Sequence, residues 1–418
     1  MQAGTLLTLD IEKPAAGGRM LARHHGQVVL VWGAIPGERV AARVERIGKG
    51  VVYADTADVL TASPDRRTDA GDWRCGGSVL AFIAYPRQLQ LKSQIIQDAL
   101  ARIGRLPIAL PEVIGSPEEG YRMRARLHAS NGRVGFYREG THTLCGVGQT
   151  RQLAAGTTAW IEQIDQRVGR AALAGLAAVE LSENIAGVER ACHLELHAGA
   201  DPSEFMPLAE GLVGLSASRA DRAGVDVLDG TPAVTDTVGG VRFRREVRAF
   251  FQGNRFLVDR LVQHVASLVP DGPVVDLYAG VGLLGLSLAA SRENGVIVVE
   301  GDPVSGEDLA GNAAPFGERV RVERRSVEQF VTLARDRHED LTAATMIVDP
   351  PRTGMTREAL AGAIGLQPSS IVYVSCDVAT FARDTRTLID AGYELRRLTG
   401  LDLFPNTAHV ESVALFSR

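Results

Sequence analysis

Cys376 closes the run Ser370-Ile371-Val372-Tyr373-Val374-Ser375-Cys376, an apolar stretch of strand character that leads into a helical pattern from Thr380 to Gly392. A thiol just past a buried strand and before a helix sits where substrate arrives in an open α/β sheet. A free thiol with a pKa near 8.5 is only a few per cent ionised at neutral pH, and a helix N-terminus and nearby arginine raise that fraction. The same position also suits an inert structural cysteine, so the thiol alone decides nothing. Other reactive types stand at the ends of neighbouring runs. Glu411 follows His409 by two residues before the last strand, V-E-S-V-A-L-F. This His-x-Glu pair lacks the downstream P-C-x-x-C that a zinc deaminase requires. Asp349 precedes Pro350, Pro351 and Arg352. The prolines fix φ and remove backbone donors, giving a rigid acidic loop able to hold a flat base beside a cofactor. Asp276 and Tyr278 lead into Gly280, Gly282 and Gly285, a G-x-G-x-x-G turn, and Glu300 follows about twenty residues on. A carboxylate there accepts hydrogen bonds from both vicinal hydroxyls of a ribose. That arrangement serves NAD and S-adenosylmethionine alike.

These residues need a frame. From about residue 250 onward strands alternate with helices, which predicts a doubly wound α/β domain with ligands beyond the C-terminal ends of its strands. Upstream, residues 1–62 carry short β-branched runs between Gly-rich turns, the pattern of a small barrel. Leu89, Leu91, Ile95, Ile96 and Leu100 fall close to helical spacing within a helix predicted over 86–104. Asn131-Gly132 marks a hairpin. Its first strand alternates Arg122, Arg124 and Arg126 on one face, with Tyr121, Arg133, Tyr137 and Arg138 nearby. Arginines interleaved with aromatics suit single-stranded RNA, though a solvated edge strand fits almost as well. His193 and His197 read as surface residues on one strand face rather than a metal site, because a third ligand is missing.

The chain has 418 residues, 45% hydrophobic and 23% charged, which implies two or three globular domains. A net charge of −5 argues against a strongly basic nucleic-acid binder, so any such role rests on local patches. Four cysteines without regular spacing do not make a disulfide framework. Without a signal-like start or a long uncharged apolar run, a cytoplasmic protein is expected, with no membrane partner.

Taken together, F-F-Q-G-N (250–254), D-L-Y-A-G-V-G (276–282), V-D-P-P-R-T-G (348–354), V-S-C-D-V-A-T-F-A-R-D (374–384) and F-P-N-T-A-H-V-E-S (404–412) resemble the S-adenosylmethionine-dependent RNA (uracil-5-)-methyltransferases. Residues 121–144 are similar to that family's central RNA-binding region, and residues 1–62 to its N-terminal TRAM barrel, an OB-like module. The resemblance implies a barrel over 1–62, a mainly-β, α+β RNA-binding domain over 63–245 and a class I, Rossmann-like methyltransferase domain over 246–418. It implies S-adenosylmethionine as cofactor, held by Gln252, Tyr278, Glu300 and Asp349. It makes Cys376 the nucleophile and Glu411 the base for methylation at carbon 5 of a uridine, and leaves the roles of Arg352 and Asp384 open. Ribosomal RNA is favoured over transfer RNA as partner, because transfer-RNA members often lack the barrel, and a monomer is favoured. Two departures stand out. The four-cysteine iron–sulfur positions of many members read Asp69, Cys75, Ser78 and Thr150, with Cys145 five residues short of the fourth. No iron–sulfur cluster and no metal are therefore expected. The catalytic loop reads Ser-Cys-Asp-Val where Ser-Cys-Asn-Pro is usual, so Asp377 is expected to raise the pKa of Cys376. The alternatives are an NAD-dependent oxidoreductase and a catalytically silent RNA-binding protein on the same fold.

Overall fold

The computed structural model describes residues 2–69 and 71–418. Val274–Leu277 is buried at all four positions, as are Thr345–Val348 and Ser370–Ser375. Short β-branched runs without alternation are what a parallel strand covered on both faces requires. They lie in an eight-stranded sheet whose order is Val320–Arg324, Val296–Glu300, Val274–Leu277, Thr345–Val348, Ser370–Ser375, Glu411–Ser417, Glu394–Leu401 and Val113–Ile114. The chain runs outward from Val274–Leu277 in one direction, then returns to Thr345–Val348 on the other side. The strand order reverses between these two, which opens a crevice at their C-terminal ends. This is the expected Rossmann-like domain with one strand turned round. Glu411–Ser417 runs antiparallel to both neighbours. Its first residue therefore lies at the edge where the parallel strands end.

Helices cover both faces. The helix Tyr85–Arg102 starts with proline in its first turn, where a missing N–H is harmless. It buries Leu91, Ile95, Ile96, Ala99 and Leu100 on one side. Four of these pack into the core that also holds Val275, Tyr373, Phe381 and Val410. Just downstream, Val113–Ile114 pairs in parallel with Glu394–Leu401. The segment 85–114 thus packs on the eight-stranded sheet although it precedes the seven-stranded sheet in sequence.

The first strands close into a barrel in the order Leu6–Pro14, Met20–His24, Gln27–Trp32, Val51–Thr61, Arg39–Gly48. Alternation along Leu6–Pro14 puts Leu7, Leu9 and Ile11 inside. Buried Glu38 accepts Nε and Nη2 of Arg66 at 2.7 and 2.6 Å and the backbone N–H of Ile35, tying the following segment to the barrel.

The middle forms a seven-stranded sheet in the order Asp226–Gly230, Gly214–Arg219, Arg190–Leu196, Leu176–Glu183, Arg124–Ser130, Arg133–Tyr137, Leu144–Cys145. Asn131 and Gly132 both have positive φ, 53° and 69°, the two-residue turn their types predict. Two expectations fail here. His193 is a buried residue whose Nδ1 and Nε2 lie 2.9 and 3.0 Å from the hydroxyls of Ser216 and Ser218, and burial lowers its pKa to about 4. Cys75 and Cys145 form a disulfide across 70 positions, with Cα atoms 6.0 Å apart. Irregular spacing hid the pair because the backbone, not the sequence interval, brings them together: Cys75 bridges to Arg138, on the hairpin that Cys145 flanks.

Candidate active site

The six predicted site residues, Gln252, Tyr278, Glu300, Asp349, Cys376 and Glu411, all line one cavity of about 760 Å³ at the topological crevice. Its wall is polarised. Glu300, Asp302, Glu328, Asp349 and Glu411 are its acidic residues, and Arg122, Arg124, Arg248 and Arg352 its basic ones.

The glycine turn forms one part of the cavity wall. Tyr278 leaves its strand with φ of 62°, unusual for a side chain with a Cβ, and Gly280 and Gly282 follow at 57° and 98°. Gly285 answers a different need, since a Cβ there would lie 2.7 Å from Val298 and 2.8 Å from Asp276. Its N–H donates to the Asp276 carboxylate at 2.7 Å, while the other Asp276 oxygen is buried without a partner. Burial lifts the Asp276 pKa to about 8. Glu300 is clamped at both oxygens: Gly280 N–H donates to one at 2.7 Å and Asp302 N–H to the other at 2.6 Å. Burial still raises its pKa. A carboxylate so fixed keeps lone pairs for a diol. Gln252 reaches the cavity from before the domain's first strand and donates from Nε2 to Asp349 at 3.1 Å. Burial pushes Asp349 up to about 7, with that hydrogen bond opposing. The fixed carboxylate, the open glycine backbone and the acid opposite them fit the ribose and the cationic sulfonium and ammonium of S-adenosylmethionine.

The thiol and the buried acid come from two adjacent strands, Cys376 after Ser370–Ser375 and Glu411 at the start of the reversed strand. Ser375 pairs with Ser412, so Cys376 and Glu411 lie at the same edge of adjacent strands. Glu411 is 2% exposed, and burial, with Asp349 adding, holds its pKa well above the usual carboxylate range; Arg352 opposes. Burial, then Glu411 and Asp349, push the Cys376 thiol up to about 12, again against Arg352. The expected activation by a helix N-terminus is thus outweighed by desolvation. Asp377 is not the cause. Its carboxylate turns away to accept the N–H groups of Ala379 and Thr380 at 3.1 and 2.8 Å, capping the helix Val378–Asp390. Buried Asp384 accepts the Tyr373 hydroxyl at 2.6 Å and Met355 N–H at 3.1 Å, which anchors the loop carrying Pro350, Pro351 and Arg352.

The sequence reading missed three contributors. Ser326, Val327 and Glu328 line the cavity at the end of Val320–Arg324. The available signal was the capping box Ser326-x-x-Gln329, which fixes where that strand gives way to helix. Phe250, 56% exposed, projects from the wall beside Gln252. The loop 402–407 before Glu411 is gripped mostly from upstream of the catalytic domain: Phe404 C=O accepts from Lys92, Pro405 C=O from Tyr121 and Asn406 C=O from Leu80 N–H, while Leu403 C=O accepts from Asn254 within the domain.

The iron–sulfur positions do not fit a cluster. Cys75 is bonded to Cys145, and the remaining corners offer Asp69, Ser78 and Thr150 rather than thiolates.

This fold and this cavity define a methyltransferase of the S-adenosylmethionine-dependent class. Comparison with known proteins agrees. Residues 314–418 match the tRNA (uracil-5-)-methyltransferase family and residues 2–56 the TRAM domain. A protein of Streptomyces avermitilis described as an uncharacterized RNA methyltransferase is 32% identical over 438 residues, covering 97% of each chain. One from Caldanaerobacter subterraneus is 29% identical, covering 100% of this chain and 99% of its own. The crystal structure of Pyrococcus abyssi tRNA (uracil-54, C5)-methyltransferase with S-adenosyl-L-homocysteine superposes with a TM-score of 0.77 at 22% identity, covering 98% of this chain and 99% of that one. The chain belongs to the RNA methyltransferase family that joins a TRAM barrel to a uracil-5-methyltransferase domain. Among the described residues no helix is long and apolar enough to cross a membrane.

Proposed function

We propose that this protein methylates carbon 5 of a uridine in RNA, with Cys376 as nucleophile and Glu411 as base. The observation that carries this reading is the placement of Cys376 beside Glu411 through the Ser375–Ser412 pairing, in a cavity that also holds the fixed Glu300 and the glycine turn. Bound S-adenosylmethionine supplies an electrophilic methyl. Gln252, Tyr278, Glu300 and Asp349 hold it. Carbon 5 of uracil is a weak nucleophile until the Cys376 sulfur adds to carbon 6 and places electron density on it. Carbon 5 takes the methyl as its bond to the donor's sulfur breaks, leaving a neutral thioether; Glu411 then takes the proton from carbon 5 and the bond between carbon 6 and the Cys376 sulfur breaks, returning the thiolate. Glu411, desolvated and raised, is a stronger base than a solvated carboxylate. The base enters the cavity out of its stack. Ribosomal and transfer RNA are alternative substrates under this reading, since the Pyrococcus enzyme shares the architecture along almost its whole length and its name gives a transfer-RNA target. A cytoplasmic site of action is part of this proposal.

Two measurements test this. Mass mapping of ribosomal and transfer RNA from cells with and without the gene is expected to show one 5-methyluridine that depends on it. Cys376→Ala is expected to abolish methyl transfer while S-adenosylmethionine still binds by calorimetry. Wild-type turnover by the alanine variant overturns the nucleophile. Tight binding of NAD with none of the methyl donor overturns the class of reaction.

A further inference from the structure

Arg122, Arg124 and Arg126 share a strand face, but the structure gives them different fates. Arg126 is exposed and neutralised by Glu180, at 2.9 Å, and by Glu195. Arg122 and Arg124 line the cavity and form no ion pair among the described residues. The nearby carboxylates are already engaged, Glu180 with Arg126 and Glu246 with Arg248 at 2.9 Å. Arg122 donates from Nε to Arg124 C=O and from Nη1 to Gln152 Oε1, both at 2.7 Å, so its guanidinium is oriented by neutral acceptors and its charge is left over. Arg124 lies 5.8 Å from the centre of the Phe250 ring, and its Nε is buried without any acceptor. Burial lowers both pKa values, that of Arg124 to about 10, without removing either charge at neutral pH. Two half-buried cations without a counter-ion leave their charge uncompensated on the cavity wall, where an anion would complete them.

We propose that Arg122 and Arg124 form a phosphodiester-binding site on the cavity wall, gripping the RNA backbone beside the nucleotide whose base reaches Cys376. The planar guanidinium suits two oxygens of one phosphate, and Phe250 next to Arg124 offers a face on which a neighbouring base stacks. This rests on the proposed function for the direction in which the base enters. It adds a backbone anchor that holds the strand independently of base identity.

The test measures binding without turnover. The dissociation constant of a fluorescein-labelled single-stranded RNA of about a dozen nucleotides, containing one uridine, is followed against potassium chloride concentration. Arg122→Met and Arg124→Met are each expected to weaken binding severalfold and to reduce the slope of log Kd against log salt by about 0.7, the value for one phosphate contact on a single strand. Arg124→Lys is expected to keep most of that slope, and Arg126→Met to leave it unchanged. With the wild-type protein, methylphosphonate linkages flanking the uridine are expected to reproduce the loss, which guards against variants that fail to fold. Unaltered slopes in both methionine variants, or an equal loss from Arg126→Met, overturn the site. So does weakened S-adenosylmethionine binding by calorimetry, which would assign the arginines to the cofactor carboxylate. Salt-dependent binding as expected, with no 5-methyluridine made on any RNA, would leave this site standing and sink the proposed reaction instead.

Discussion

At the scale of residues, the central tension is that the proposed nucleophile starts from an unfavourable protonation state. Desolvation, Glu411 and Asp349 all hold the Cys376 proton in place, and Arg352 alone among the named neighbours pulls the other way. Both reacting groups must be deprotonated to work, and both have raised pKa values. The sign of the pH dependence follows. The fraction of competent enzyme grows as pH rises, and the thiol, at about 12, sets no plateau within the range where the protein is handled. Initial rates of methyl transfer at subsaturating RNA are therefore expected to climb through pH 6 to 9, by up to about tenfold per unit where the thiol alone limits. Arg352→Met removes the opposing charge, and is expected to lower the rate at neutral pH about tenfold while leaving the affinity for S-adenosylmethionine unchanged. A bell-shaped profile with a neutral optimum would show that RNA binding resets the thiol. Five of the six proposed site residues could be read from sequence because an α/β fold puts chemistry at strand ends, whereas Gln252 lies before the domain's first strand and was legible only through the F-F-Q-G-N resemblance. The role of Asp377 could not be read. Whether an acid beside a nucleophile faces it or caps the next helix depends on a side-chain rotation that residue type alone does not settle.

At the scale of elements, the loop before Glu411 shows why the catalytic domain does not stand alone. Lys92 and Asp402 are fully buried and paired at 2.5 Å, and Lys92 also donates to Phe404 C=O at 3.0 Å. One turn earlier on the same helix, Gln88 donates to Asn406 Oδ1 at 2.9 Å and accepts Asn406 N–H at 3.0 Å, holding a residue with φ of 63°. Helical spacing aligns Gln88 and Lys92 on one face, so one rigid element sets two points of the loop. Removing one partner of a buried ion pair typically costs about 3–5 kcal/mol, because the other is stranded. Lys92→Met is expected to lower the urea midpoint accordingly, and the double change Lys92→Met with Asp402→Leu to recover most of it. The recovered protein is still expected to methylate slowly at saturating RNA, because Phe404 C=O has lost its lysine donor and the approach to Glu411 is no longer fixed. Full activity in the stable double variant would reduce the pair to packing. The sequence showed a helix here by its apolar spacing, Leu91, Ile95, Ile96 and Leu100. Its partner was beyond reach, since Lys92 and Asp402 lie 310 positions apart and nothing local marks a lysine as buried.

At the scale of the whole molecule, the barrel, the central sheet and the catalytic domain meet around the segment 72–84, and the disulfide lies in it. Gly76 N–H donates to Tyr137 C=O, Glu139 N–H to Arg74 C=O, and Arg138 pairs with Asp72 at 2.7 Å. A few residues on, Leu80 N–H holds Asn406 in the loop before Glu411. The bond between Cys75 and Cys145 closes a loop of 70 positions, for which chain entropy alone gives about 4 kcal/mol of stabilisation. The backbone pairs beside it already restrain the same segment, so the effect is expected at about 2–3 kcal/mol. A reducing compartment works against such a bond, so its contribution depends on the redox state where the protein acts. Neither cysteine lines the cavity, so the bond should govern stability and not chemistry. Urea unfolding of the oxidised protein is thus expected to have a higher midpoint than that of the reduced protein. Cys145→Ser should match the reduced wild type whether or not dithiothreitol is present. Affinity for S-adenosylmethionine and the rate of methyl transfer should be the same in all three. Equal midpoints with and without reductant would mean that the bond does not form in the isolated protein. A loss of turnover on reduction, at a temperature where the fold is intact, would instead tie the bond to the loop before Glu411 through Leu80.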